Sequence, residues 1–411
     1  MKNLQSMQRL LWMSLLLFSA GSAQATNYVF PDHMPSTCNG SDGFYTCKSL
    51  MLLDGDTVTI EATKPAVLQI NGEFNVGKGV KINSLGVAAD LLIQNFSRSA
   101  LGSNLKINAN LVSAGDIALG AESDSSGSIT TDNGIISVGD KSRVVGDLQT
   151  SNAIIYIGDG VKITGSLSST SSGVISVGNG STVSGSLTTA VGAINVGFDS
   201  VVGAITSTSA GAVTVGARST VKGDIITGAG AVSVGDGGYI DGSITTIAGV
   251  VTVGVGATVR GSINNLDTSK AGAVNIDNKA IVIGYILTNA GAITIAADGQ
   301  VGGGLGTKDG AITVGTAARI GGSVCTDNSG AVTVGAIATV GGNVETNTAG
   351  AITIGSKAII SGGVVVHGAG AKVVSADATV GNYLVSSCPT AAPNSNWRTI
   401  KSRSWRQLLI R

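Results

Sequence analysis

Aliphatic residues in this chain recur at a spacing of two inside a short motif that returns with a fixed period. The motif reads Gly or Ala, a small or apolar residue, Ile or Val, a polar or small residue, Val or Ile, then usually Gly. It begins at Gly115 and returns at Gly134, Ala153, Gly173, Gly192, Gly211, Gly230, Gly249, Gly272, Gly291, Gly310, Gly330 and Gly350. The steps are 19 or 20 residues, apart from one of 23 between Gly249 and Gly272. A second half of the repeat places an aliphatic, a Gly two residues on, and another aliphatic two further, as in Val221, Gly223, Ile225 and Ile240, Gly242, Ile244. A period of two puts the aliphatics on one face of a strand. No segment keeps the three-to-four spacing of a helix, and glycine every few residues opposes one.

In the repeat from Gly211 to Ala229, Val213 and Val215 face inward from a first strand, Val221 from a second and Ile225 from a third. Four aliphatics cannot offset the ordering of nineteen backbones, so a single coil does not fold alone. Stacking at one strand spacing of about 4.8 Å supplies the missing hydrogen bonds and apolar contacts. The pattern predicts an all-β, right-handed parallel β-helix of about fourteen coils with a triangular section, a rod roughly 65–70 Å long at that spacing. The solenoid is expected over residues 67–385. Residues 26–66 lack the motif and are expected to cap the first coil, since a bare solenoid end is an unpaired strand edge.

Composition refines this picture. The chain has 61 glycines, 4% aromatic and 12% charged residues, so a large aromatic core is excluded. With 25 basic and 25 acidic residues the charges cancel, which argues against nucleic acid as a partner. Residues 1–25 read as an export signal: Lys2 and Arg9 at a positive start, an apolar run from Leu10 to Phe18, and a small-residue cleavage site at Ala23-Gln24-Ala25. The run falls short of the ~20 residues a spanning helix needs, so no integral membrane segment is expected in the mature chain. Export permits disulfides. Cys38 and Cys47 are expected to close a small loop, whereas Cys325 and Cys388 sit about three coils apart. That is roughly 14 Å against the ~7 Å a disulfide allows between Cα atoms, so only a tail that folds back would join them. Residues 386–411 are a basic tail, with Trp397, Trp405, Arg398, Lys401, Arg403, Arg406 and Arg411 and no acid, expected to be disordered or a truncated end.

The half-repeat V-x-G-x-I followed by G-A-V-T-V-G, as in TVKGDIITGAGAVSVG, resembles the bactofilins, bacterial polymer-forming proteins built on a right-handed triangular β-helix. That resemblance implies a self-assembling solenoid, although the cytoskeletal bactofilins are cytoplasmic and this chain carries an export signal. The segments YVFPDHMPSTCNGSDGFYTCKSLMLLDGDTVTI and KPAVLQINGEFNVGKGVKINS resemble the opening of large exported proteins encoded with mannose-sensitive haemagglutinin type IV pili, cysteine pair included. This second resemblance implies a surface or pilus-associated role. Those proteins continue into long C-terminal domains, so the present chain is expected to be a fragment of that design.

Candidate chemistry is sparse. The two histidines, His33 and His367, lie at opposite ends of the chain and belong to no metal-ligand or nucleophile spacing. Gly235-Asp236-Gly237-Gly238 with Asp241 does not recur as a calcium repeat would, and Gly302-Gly303-Gly304 lacks the Lys and Ser/Thr of a phosphate loop. One inserted loop, Asn264 to Ala271 with Asp267 and Lys270, is the only candidate for an enzyme-like projection. No catalytic residue, metal or cofactor is expected.

The candidate interaction face is an outward one. Between the inward aliphatics of each first strand stand Thr214, Thr252, Thr294, Thr313, Thr333 and Thr353, with Ser and Asn in other repeats; two residues earlier stand Ala212, Ala292, Ala311, Ala331 and Ala351. Stacked, they make a strip of small, uncharged side chains suited to self-association or adhesion at a bacterial cell surface. Ice binding through threonine ladders and a purely rigid spacer are the alternatives.

Overall fold

The computed structural model describes residues 25–61, 64–266 and 272–385. The expected leader, save Ala25, the basic tail 386–411, Cys388, and Asp267 and Lys270 of the inserted loop lie outside the described residues. The described chain is a parallel β-solenoid in which three sheets form a triangular section over about 17 turns. In the turn that begins at Gly211 the strands are Val213–Val215, Thr220–Val221 and Ile225–Thr227; they belong to sheets called here C, A and B. Each pairs in parallel with its equivalent one repeat on: Val213 with Val232, Val221 with Ile240, Ile225 with Ile244. Val213, Val215, Val221 and Ile225 are buried, as the spacing of two requires.

A further inward position escapes the aliphatic pattern. From Asn95 to Thr346 the last residue of each sheet B strand is polar and buried, as at Thr150, Thr189, Thr227, Thr246 and Thr307. Burial of a hydroxyl is tolerable only with partners. Thr227 Oγ1 donates to the Gly230 carbonyl (2.9 Å), and Thr246 Oγ1 accepts from the Gly249 N–H (2.9 Å). These glycines open the repeat because the corners stack backbone on backbone: a Cβ at Gly230 would land on the carbonyl oxygen of Gly211. A second buried file, Ser181, Ser200 and Ser219, serves another corner. The Ser200 hydroxyl accepts from Ser181 N–H (3.2 Å) and donates to the Gly178 carbonyl (2.9 Å).

The corner after sheet C holds one left-handed residue per turn, such as Asp199, Arg218, Lys279, Ala317 and Ile337, with φ between 55° and 59°. The reversal lets the N–H of that residue continue the inter-turn ladder; Arg218 N–H donates to Asp236 O and Ile337 N–H to Ser356 O, both at 2.9 Å.

The array starts earlier than the repeat motif does, which corrects the expected coil count from about fourteen to about 17. Residues expected only to cap the rod carry the first strands: Asn27–Phe30 pairs in parallel with Thr57–Ile60, Leu50–Leu52 with Phe74–Val76, and Phe44–Cys47 with Ala66–Ile70. The reason is that Leu50/Leu52 and Val58/Ile60 keep the alternation of two, although larger side chains replace the Gly-rich motif. Phe30, Tyr45 and Phe74 are buried at this end, with Phe30 and Tyr45 edge to face at 5.1 Å. Among the described strands only Cys38–Ser41 runs antiparallel, closing the edge of sheet B against Phe44–Cys47. Cys38 and Cys47 stand directly opposite each other, Cα atoms 4.0 Å apart, and form the expected disulfide. The other end is open. Lys372 and Val373 are exposed, Val374 is half-buried, and Thr379 and Val380 are exposed.

Two stability outcomes follow from these placements. Val221→Asp puts an unpaired charge between stacked turns and should cost on the order of 3–5 kcal/mol, whereas Thr214→Asp on the outer face should change stability by less than about 0.5 kcal/mol. Equal losses in thermal denaturation would refute the register. Ile337, β-branched and 57% exposed at φ 58°, holds a conformation that costs an L-residue about 1–2 kcal/mol. Ile337→Gly should therefore raise the urea midpoint; a lowered midpoint would show that the corner is not strained.

Candidate interaction face

The strip expected from the sequence forms as one continuous file on the outside of sheet C. Strand register places Ser176 beside Asn195, then Thr214, Ser233, Thr252, Asn275, Thr294, Thr313, Thr333 and Thr353, without a slip. At one strand spacing these side chains repeat every ~4.8 Å. Thr214, Thr294, Thr313, Thr333 and Thr353 are exposed, and Thr252 is half-buried. Of the alanines, Ala212, Ala311 and Ala331 are exposed, while Ala292 and Ala351 are half-buried. The alanine carbonyls face along the rod and take ladder bonds: Ile194 N–H donates to Ala212 O, Ile293 N–H to Ala311 O, and Ile312 N–H to Ala331 O, each at 2.9 Å. The backbone under the strip is thus saturated, and only methyls and small polar groups reach outward.

Neither file carries a charge between Ser176 and Thr353. Charge sits elsewhere, paired between consecutive turns: Arg143 with Asp124 (3.1 Å), Arg218 with Asp199 (2.7 Å) and Arg260 with Asp241 (2.6 Å). The hydrogen bonds from the Arg218 guanidinium hold the Asp199 carboxyl below the usual carboxylate range. All these groups are open to water, so the pairs tie neighbouring turns together only weakly.

The histidines do not meet. His33 Nδ1 bonds the Asn27 carbonyl (2.8 Å) beside the first strand, and His367 Nε2 lies 3.8 Å from Glu345 Oε2 near the far end. Among the described residues, no group of three or more His, Cys, Asp or Glu could hold a metal ion. The face can therefore offer shape, dispersion contact and single hydroxyl hydrogen bonds, and no titratable group.

Two features escaped the sequence reading. Toward the N-terminal end the strip gives way to Ile135, Ile154 and Tyr156, which are 40%, 42% and 51% exposed, so its apolar character grows there. Sheet B also has an outward file, polar at Gln149, Ser168, Thr188, Thr206 and Thr245, which then changes to Leu287, Gly306, Cys325 and Glu345. The change of residue type at the middle of the strands Ile286–Thr288, Leu305–Thr307, Val324–Thr326 and Val344–Thr346 was the signal available. No protein-family model matches the chain, and neither a curated protein nor a solved structure matches it.

Proposed function

We propose that this chain is an exported bacterial structural protein whose solenoid works by surface contact, associating side by side through the outer face of sheet C. The observation that carries this reading is the uninterrupted, uncharged, in-register strip from Ser176 to Thr353. A flat face of small side chains loses little rotamer entropy on contact and presents no charge to repel a like surface. The resemblance of the repeats to polymer-forming bactofilins, and of the first coils to exported pilus-encoded proteins, points the same way and supplies the setting, a cell surface or pilus. The reading is a non-enzymatic one.

The first end favours lateral contact over head-to-tail joining. The first turn is closed by the antiparallel strand Cys38–Ser41 and its disulfide, so its sheet B edge does not offer a parallel partner. An ice-binding surface asks for neighbouring threonine files, whereas here an alanine file lies beside a single threonine file broken by Asn and Ser. The spacer reading keeps one observation in its favour, the length of about 17 stacked turns, roughly 80 Å at one strand spacing.

Light scattering and electron microscopy of the purified chain test the proposal. Side-by-side pairs should form with rising concentration, and Thr294→Asp, Thr313→Asp and Thr333→Asp together should abolish them while leaving circular dichroism unchanged. A chain that stays monomeric at every concentration and salt, and does not attach to cells, would refute the contact reading and leave the spacer in its place.

A further inference from the structure

Outward side chains in the middle of sheet B strands should be open to water, and from Val112 to Asn264 they are exposed or half-buried. Ile226 is 44% exposed. Three turns along, the same file is buried: Leu287 is 8% exposed, Cys325 and Glu345 3% each, and Gly306 between them is buried as well. Sheet register alone cannot hide these positions, because they point away from the core. Something lies over them.

The described chain shows where that cover starts. Each turn sets its backbone on the one before, and a Cβ at Gly363 would accordingly meet the backbone of Tyr383. The next residue then departs from this advance. Leu384 N–H donates to Asn343 Oδ1 (3.0 Å) and Asn343 Nδ2 donates to Leu384 O (2.8 Å), a pairing across 41 residues, or two turns back. Asn343 Oδ1 also accepts from the Gly363 N–H (2.9 Å), so this side chain ties Leu384 beside the turns of Asn343 and Gly363 on sheet B. Val373 and Val380, at the open end, are 59% and 37% exposed.

Sulfur gives an independent pointer. Cys38 and Cys47 are joined to each other, and Cys325 is not a free thiol. The chain has four cysteines, which leaves Cys388. From Leu384 to Cys388 is four residues, at most about 13–14 Å extended, and Cys325 lies one turn, about 4.8 Å, beyond the level of Asn343. A chain that turns back at Leu384 has sufficient reach, which removes the 14 Å objection raised by a straight march of coils. Charge fits as well: Glu345 sits on the covered face, held by Asn343 Nδ2 at 2.7 Å, and residues 386–411 carry basic groups and no acid.

We propose that residues 386–411 dock on the outer face of sheet B across the turns of Leu287 to Glu345, tethered by a disulfide between Cys325 and Cys388. Its formation takes two protons and two electrons from the two thiols to an external protein disulfide, which leaves as a dithiol. The docked segment closes one face of the rod over its last turns and leaves the strip on sheet C uncovered.

Peptide mapping of the thiol-blocked, unreduced full chain should recover Cys325 linked to Cys388 beside Cys38 linked to Cys47. Hydrogen exchange on the same material should show amides within 386–411 slowed at least tenfold relative to an unstructured peptide, and the slowing should disappear in Cys388→Ser while the turns of 213–263 keep their protection. Alkylated Cys325, a link from Cys325 to a second copy, or a segment that exchanges at the unstructured rate in the oxidised wild type would each overturn the proposal.

Discussion

No turn of this protein satisfies its own backbone; every structural feature depends on hydrogen bonds made one turn away. Val213 N–H donates to Ala231 O, Thr220 N–H to Ser200 O and Ile225 N–H to Ser243 O, so one turn leans on the turns before and after it. The constraint fixes the period. A turn that gained or lost a residue inside a strand would flip its inward file to the solvent side, which is why the variation from 19 to 20 residues, and the longer step after Gly249, falls in corners and loops. It also demands closely stacked backbone at the corners, and glycine over glycine, as at Gly211 and Gly230, is the answer the chain repeats.

The same constraint explains polar residues in a narrow interior. Corners turn backbone groups away from the sheets, and the buried files of threonine and serine take up those orphaned donors and acceptors from inside. Thr246 receives the Gly249 N–H and Ser219 Oγ donates to the Gly197 carbonyl at 2.7 Å, each linking a corner to a neighbouring strand or turn. Aliphatic files on the strands and hydroxyl files at the corners together define the triangle. Neither type of file would be stable without the other, since apolar burial alone would leave the corner amides unpaired.

A rod assembled this way has three long outer faces and two ends, and they are not equivalent. Sheet C presents small uncharged side chains, sheet B carries a covered stretch near its last turns, and the inter-turn ion pairs spread charge of both signs where it cancels. The first end is closed by a hairpin and aromatic packing, the last is open.

The fold class was legible from residue spacing, because the period of two and the 19-to-20-residue repeat each have a direct geometric meaning, and the outward file on sheet C follows from the same alternation. Cys38 and Cys47 could be paired from their proximity in the sequence and an expected export signal. The coil count was not legible, because Leu50, Leu52, Val58 and Ile60 keep the strand alternation without the glycine motif on which the repeat was recognised. The inward threonines were missed because a polar residue reads as a surface residue until the glycine carbonyl beside it is known. The covered face of sheet B was beyond the sequence for a different reason. Leu287, Cys325 and Glu345 are buried although they face outward, and Leu384 bonds the Asn343 side chain across 41 residues; no local pattern encodes either. Local alternation therefore determined which side chains face in and which face out; tertiary structure alone decided which outward faces remain free, because that depends on where distant segments of the chain come to rest.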